Sequence, residues 1–255
     1  MKKYILEAHR GVALHYPENT MSAFRAASEL GYGMIELDTK FTADDVCVIL
    51  HDRTVNRTGR LPDGSVIKEE TPINSLTFDE AQKFDYGIFL NEKFRGEPLP
   101  RLEEVLKFAL EAKIPLKFDN VLFSHTPAQR KQFFDTVVRF GMGELAQITC
   151  ASLETVNETL EHIPDAQIHY DGVAEDTALE ALAAILPPQR LTVWVRFDNN
   201  HTSWNKNPPV SQTLAAKVKK VGKLGVWILT EESERQRALD EFGADIIETD
   251  GSLLP

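Results

Sequence analysis

Pro100-Arg101-Leu102-Glu103-Glu104-Val105-Leu106-Lys107-Phe108-Ala109-Leu110-Glu111-Ala112, followed by Pro115-Leu116-Lys117-Phe118-Asp119-Asn120-Val121, reads as one helix and then one short strand. The rest of the chain repeats that unit. Helices are expected over 127–140, 153–162, 177–186, 210–221 and 231–242. Strands follow at 147–151, 166–170, 191–197, 225–229 and 245–248. Upstream, strand one covers 4–9 and strand two covers 34–38. Between them Met21, Phe24, Ala27 and Leu30 recur at helical spacing, and Gly31 ends that helix. Eight strands in repeated β-then-α units predict an α/β fold, a closed (β/α)8 TIM barrel. A doubly wound open sheet is the runner-up, weakened because no GxGxxG follows a strand.

One run stands outside this alternation. Val46–His51 is extended but follows strand two after a short polar turn at 42–45, too few residues for a crossover helix. It is expected to fold back as a hairpin and bring His51 towards Glu36. Residues 53–100 are rich in glycine and proline and are expected to form a small insertion after strand two. The expected organisation is therefore one barrel domain over 1–255 with that insertion inside it. A chain of 255 residues with 42% hydrophobic residues has enough core for such a domain without disulfides. Cys47 and Cys150 each lie in an expected strand and read as buried, inert thiols.

The net charge of −11 argues against nucleic acid or an anionic membrane surface as a partner. No apolar run is long enough to span a membrane. The N-terminus runs directly into strand one without the apolar stretch of a signal peptide, so a cytoplasmic location is expected. The expected partner is a small molecule.

In a barrel of this kind the chemistry sits at the C-terminal ends of the strands. Strand one ends in His9-Arg10, and strand two carries Glu36 and Asp38 on one face. The hairpin ends in His51-Asp52, and strand three carries Lys117 and Asp119. Further round, the strand ends hold His169 and Asp171, Asp198 and Asn199, Trp227 and Thr230, and Glu248 and Asp250. Carboxylates crowded at the first three strand ends would repel one another unless a cation sat among them, and oxygen ligands select Mg2+ or Ca2+. Beside such a cation, Arg10 would neutralise a phosphate and two histidines would move protons.

The same residues carry a resemblance. His9-Arg10-Gly11, Pro17-Glu18-Asn19-Thr20, Ala23-Phe24, Glu36-Leu37-Asp38 and His51-Asp52 resemble, in order and spacing, the signature of glycerophosphodiester phosphodiesterases. Residues 53–59, 100–106 and the closing Gly243-Ala244-Asp245 and Thr249-Asp250 are similar to further family segments. The resemblance implies metal ligation by Glu36 and Asp38, acid/base roles for His9 and His51, and a phosphate contact from Arg10. It makes Glu18 a site residue that holds Arg10 or binds near the metal. Trp227 matches a tryptophan that walls the substrate pocket. The family usually reads Ile-Glu-Ile-Lys in strand three, giving a third metal ligand and a phosphate-binding lysine. Here Asp119 stands for the glutamate and Val121 for the lysine, so Lys117 is expected to reach up to the phosphate or at least neutralise Asp119. Thr230 stands where members often have asparagine.

The expected function is metal-dependent hydrolysis of a glycerophosphodiester to glycerol 3-phosphate or a related phosphomonoester and an alcohol, by attack of water or of the substrate's own neighbouring hydroxyl. A lyase resembling sphingomyelinase D-like phospholipases, stopping at the cyclic phosphate, is one alternative. The insertion and the lack of disulfide-forming cysteines speak against it. A non-catalytic phosphodiester-binding barrel is the other, and two retained histidines speak against that. Simpler readings compete residue by residue. Asp52 reads as a turn residue and Asn19 as a helix cap, Arg10 as a partner of Glu18, and Trp227 as barrel core.

Overall fold

A computed structural model describes residues 4–198 and 207–255; Asn199, named above, lies outside them. The barrel strands are β1 (Ile5–Ala8), β2 (Met34–Leu37), β5 (Leu116–Phe118), β6 (Ala146–Cys150), β7 (Gln167–Tyr170), β8 (Leu191–Arg196), β9 (Lys223–Trp227) and β10 (Ile246–Thr249). They pair in that order, all parallel, and β10 closes on β1 with Ile5 beside Ile246 and Glu7 beside Glu248. Helices α1 (Met21–Leu30), α3 (Leu102–Ala112), α4 (Pro127–Arg139), α5 (Leu153–His162), α6 (Asp176–Ile185), α7 (Gln212–Val218) and α8 (Glu232–Asp240) lie between them. The expected closed barrel is the observed one.

Local signals explain the helix ends. The Thr20 side chain accepts from Ala23 N, and Gly31 stops α1 at φ 87°. Ser152 and Thr126 cap α5 and α4 in the same way. Phe24 and Ala27 turn the apolar face of α1 into the main core, where both are fully buried. Burial of a side chain such as Phe24 contributes about 1.5–3 kcal/mol. Cys47 and Cys150 are buried and unpaired, as expected.

The hairpin is present but displaced. β3 (Thr39–Phe41) pairs antiparallel with β4 (Cys47–Ile49), and Leu50 N donates to Asp38 O at 3.0 Å. The return strand does not pair with 34–37, because β1 and β5 already occupy both edges of β2. The hairpin therefore rises above the barrel rim from Asp38 onward. The insertion packs under it. Val55, Ile73, Ala81, Tyr86 and Leu99 form a small core with Val48 and Leu50, around the short helix α2 (Phe78–Ala81). No helix among the described residues is long and apolar enough to cross a membrane.

Candidate active site

β1 and β2 deliver the first side chains. Arg10 leaves β1 in the left-handed region at φ 52°, an unusual conformation for a residue with a side chain. That turn aims its backbone N–H at Glu36 Oε2, 2.9 Å away. Gly11 follows at φ 81°, and a Cβ there would lie 2.6 Å from Ala23 Cβ. Only glycine lets this turn pack on α1. Asp38 is fixed by Asn19, whose Nδ2 donates to Asp38 Oδ2 at 2.9 Å. Asn19 is thus not the helix cap expected from sequence; Thr20 is. At φ 57° Asn19 turns its amide back onto the neighbouring strand end instead.

The hairpin brings in a connected chain of charges. His51 Nδ1 lies 2.6 Å from Asp52 Oδ1. Asp52 Oδ2 accepts from Arg57 Nε at 2.7 Å, and Arg57 Nη1 and Nη2 donate to Glu18 at 2.6 and 2.7 Å. Glu18 also accepts from Arg10 Nη1 at 3.0 Å, so of its two expected roles the geometry gives it the holding of Arg10. Asp52 is more than a turn residue. Burial raises its pKa, but hydrogen bonds from Arg57 and His51 outweigh that and hold it at about 2. A carboxylate locked to Nδ1 fixes the His51 ring, and His51 lines the cavity. Nothing local in the sequence marks a role for Arg57, contributed by the insertion, because its partners lie 5 and 39 residues away. Arg57→Leu is expected to lower kcat about 10–100-fold, as loss of an outer partner does. Arg57→Lys, which lacks the two-sided fork, should recover only part. A kcat within twofold of the parent would reduce Arg57 to a surface ion pair.

Beneath these groups the barrel interior holds a buried triad. Lys117 Nζ lies 2.6 Å from Glu7 Oε1 and 2.7 Å from Glu248 Oε2, and 3.8 Å from the centre of the Trp194 ring. This corrects the expectation that Lys117 reaches up to the phosphate, although its charge still acts on Asp119 from below. Its ammonium is drawn sideways because β1 and β10 place two buried carboxylates at its own level. Burial pushes Glu7 up to about 8; burial also acts most strongly on Glu248, but Lys117, His9 and a hydrogen bond from Glu7 together outweigh it and lower its pKa. Glu7 therefore carries a proton and Glu248 is the ionised partner. Glu248 Oε1 in turn lies 3.7 Å from His9 Nε2. Asp119 caps the following turn, with Oδ1 accepting from Val121 N at 2.9 Å.

All of this opens into one cavity of about 750 Å3. His9, Arg10, Glu36, Asp38, His51, Lys117, Asp119, Trp227 and Glu248 all line it. Glu18 sits behind Arg10. Trp227 packs on Met34, Trp194 and Ile246, so its wall and core roles coincide. His169 is a satisfied core residue between Gln147 and the Trp194 indole N–H. Asp171 also reaches the cavity and accepts from Asn120.

Residues 9–253 match the glycerophosphoryl diester phosphodiesterase family. The chain belongs to that family. A glycerophosphodiester phosphodiesterase from Caldanaerobacter subterraneus subsp. tengcongensis is 31% identical over 180 residues, 68% of this chain and 70% of that protein. The bovine glycerophosphodiester phosphodiesterase 1 is 29% identical over 64% of this chain, and the match reaches 48% of its length. Two solved structures share the fold. A phosphodiesterase from Oleispira antarctica in complex with the product sn-glycerol-3-phosphate has a TM-score of 0.74 at 16% identity, over 97% of this chain and 93% of that one. A glycerophosphodiester phosphodiesterase from Agrobacterium tumefaciens has a TM-score of 0.70 at 17% identity, over 98% and 97%. The reaction of the glycerophosphoryl diester phosphodiesterases is hydrolysis of glycerophosphodiesters, and this chain is an enzyme of that class.

The carboxylates suit the divalent cation that these phosphodiesterases use. Burial pushes the Glu36 carboxyl well above its usual range, and Asp38 and Glu248 push it further. Asp119 is raised by burial and then by Asp38. A hard cation among these oxygens would remove that repulsion. Among the described residues, the group whose ligand atoms all lie within 4.8 Å of one another is His9, Glu36 and Glu248 rather than the expected Glu36, Asp38 and Asp119. Glu248, which the sequence placed only at a strand end, thus belongs to the same centre. Nothing local in the sequence marked it, since its importance comes from barrel closure.

Proposed function

We propose that hydrolysis uses one divalent cation, Mg2+ or Ca2+, held by Glu36, Asp38 and Asp119, with His9 and His51 moving protons and Arg10 on the phosphate. When bound, the cation neutralises the diester's non-bridging oxygens. Glu248 is a poorer ligand than these three because Lys117 already neutralises it. Burial lowers the His9 pKa to about 4, so the ring is neutral near pH 7 and able to accept a proton. His51, held at Nδ1 by Asp52, presents Nε2 to the other side of the phosphorus and exchanges a proton with the entering or leaving oxygen. Glu18 keeps Arg10 in place, and Trp227 walls the substrate. Lys117 is read as a structural cation below the site.

The observation that carries this reading is the crowding of Glu36, Asp38 and Asp119 beside a neutral His9. Exhaustive chelation should abolish turnover of a panel of glycerophosphodiesters, and Mg2+ or Ca2+ should restore it. Turnover unchanged by chelation would overturn the cation's role.

A further inference from the structure

Lys40 has no function in the account so far. It is 5% exposed, and its side chain reaches the same cavity as His9 and His51. Its ammonium has three donors, and two backbone carbonyls take part of that capacity, Thr39 O at 3.3 Å and Leu50 O at 3.2 Å. Two other cations inside the cavity already have counter-ions, Arg10 included, although Arg10 is also the phosphate contact proposed above. Arg10 pairs with Glu18 and Asp38, and Lys117 with Glu7 and Glu248. Lys40 makes no ion pair among the described residues, although Asp38, Asp119 and Asp52 act on it from farther off. A buried charge without a close counter-ion is costly unless an anion arrives to meet it.

Its place in the fold says which anion. β2 and β5 pair Glu36 with Lys117, and Asp119 N donates to Leu37 O at 3.0 Å. Past that pair Lys40 turns off into the β3–β4 hairpin and Asn120–Ser124 turn into a short 3-10 helix, yet Asp38, Lys40, Asp119 and Val121 all line the one cavity. His125 Nε2, 3.0 Å from Thr39 O, keeps the segment after β5 against β3. The hairpin thus sets a cation over the carboxylate group on the wall that also carries His51. We infer that Lys40 is a phosphate-binding residue, its ammonium donating to a non-bridging oxygen of the substrate diester. This rests on the phosphodiesterase reading and adds to it a cation from the β3–β4 hairpin.

The test uses the cation-loaded protein and Lys40→Gln, whose amide can keep a carbonyl contact but has no charge. Glycerol 3-phosphate affinity, read by calorimetry, should weaken about tenfold to a hundredfold, the usual loss of a charge-assisted hydrogen bond. The kcat/KM for a glycerophosphodiester should fall about 10²–10³-fold, the scale of losing one charge-stabilising donor. The double variant Lys40→Gln with Val121→Lys should regain part of both. A folded Lys40→Gln protein that binds glycerol 3-phosphate within twofold of the parent would overturn the inference. If Lys40→Gln does not fold, Lys40→Arg decides. It keeps the charge, so affinity and its salt dependence should stay near the parent, and loss of both would overturn the assignment. Failure of the parent protein itself to hydrolyse any glycerophosphodiester would instead bring down the functional reading beneath it.

Discussion

His9→Ala and His51→Ala are each expected to lower kcat by about 10²–10⁴-fold, the range for removal of a positioned acid or base, with little change in the thermal midpoint. The two losses arise differently. His9 lies inside the barrel mouth, 3.8 Å from Glu36 and 3.7 Å from Glu248, and its pKa of about 4 leaves it unprotonated through the neutral range. His51 stands on the hairpin, half exposed, and depends on Asp52 for its orientation. If the two act on opposite oxygens of one phosphoryl transfer, as proposed, the double variant should be far less than additive. A kcat within threefold of the parent for either single variant would make that histidine structural.

Lys117→Met is expected to destabilise the fold by about 3–5 kcal/mol, because it leaves a buried carboxylate unpaired. Had Lys117 reached up to the phosphate, as expected from sequence, the same change would have spared folding and cost catalysis instead. The difference lies in the partners, Glu7 fully buried and Glu248 nearly so. Denaturant unfolding measures it, and a loss under about 1 kcal/mol would show that the triad is not a structural element. The triad also sets a pH slope. The folded-state pKa of Glu7, raised by burial to about 8, lies above the ordinary value of 4.5. Between those values the folded protein holds a proton that the unfolded chain has released. Stability should therefore fall as pH rises from about 5 to about 8. Glu7→Gln should flatten that slope, and an unchanged slope would place the proton elsewhere.

Much of this protein is legible in one dimension. The strand and helix alternation after Pro100 gives the barrel because each unit must bury an apolar face against the next. His9-Arg10, Glu36-Leu37-Asp38 and His51-Asp52 name the centre because parallel strands put their C-terminal ends on one rim. Glycine at 11 is forced by a left-handed turn pressed against α1. What pairs with what was not legible. Lys117 and Glu248 are 131 residues apart, and only closure of β10 on β1 sets them side by side at the foot of the cavity. Arg57 gains its role when the insertion folds back over Glu18 and Asp52. Lys40 becomes a cation of the site only because β2, already paired on both edges, sends the chain upward into a hairpin. Local pattern fixes which residues face inward. Long-range charge pairing among buried side chains of the barrel decides which of them remain available to a substrate.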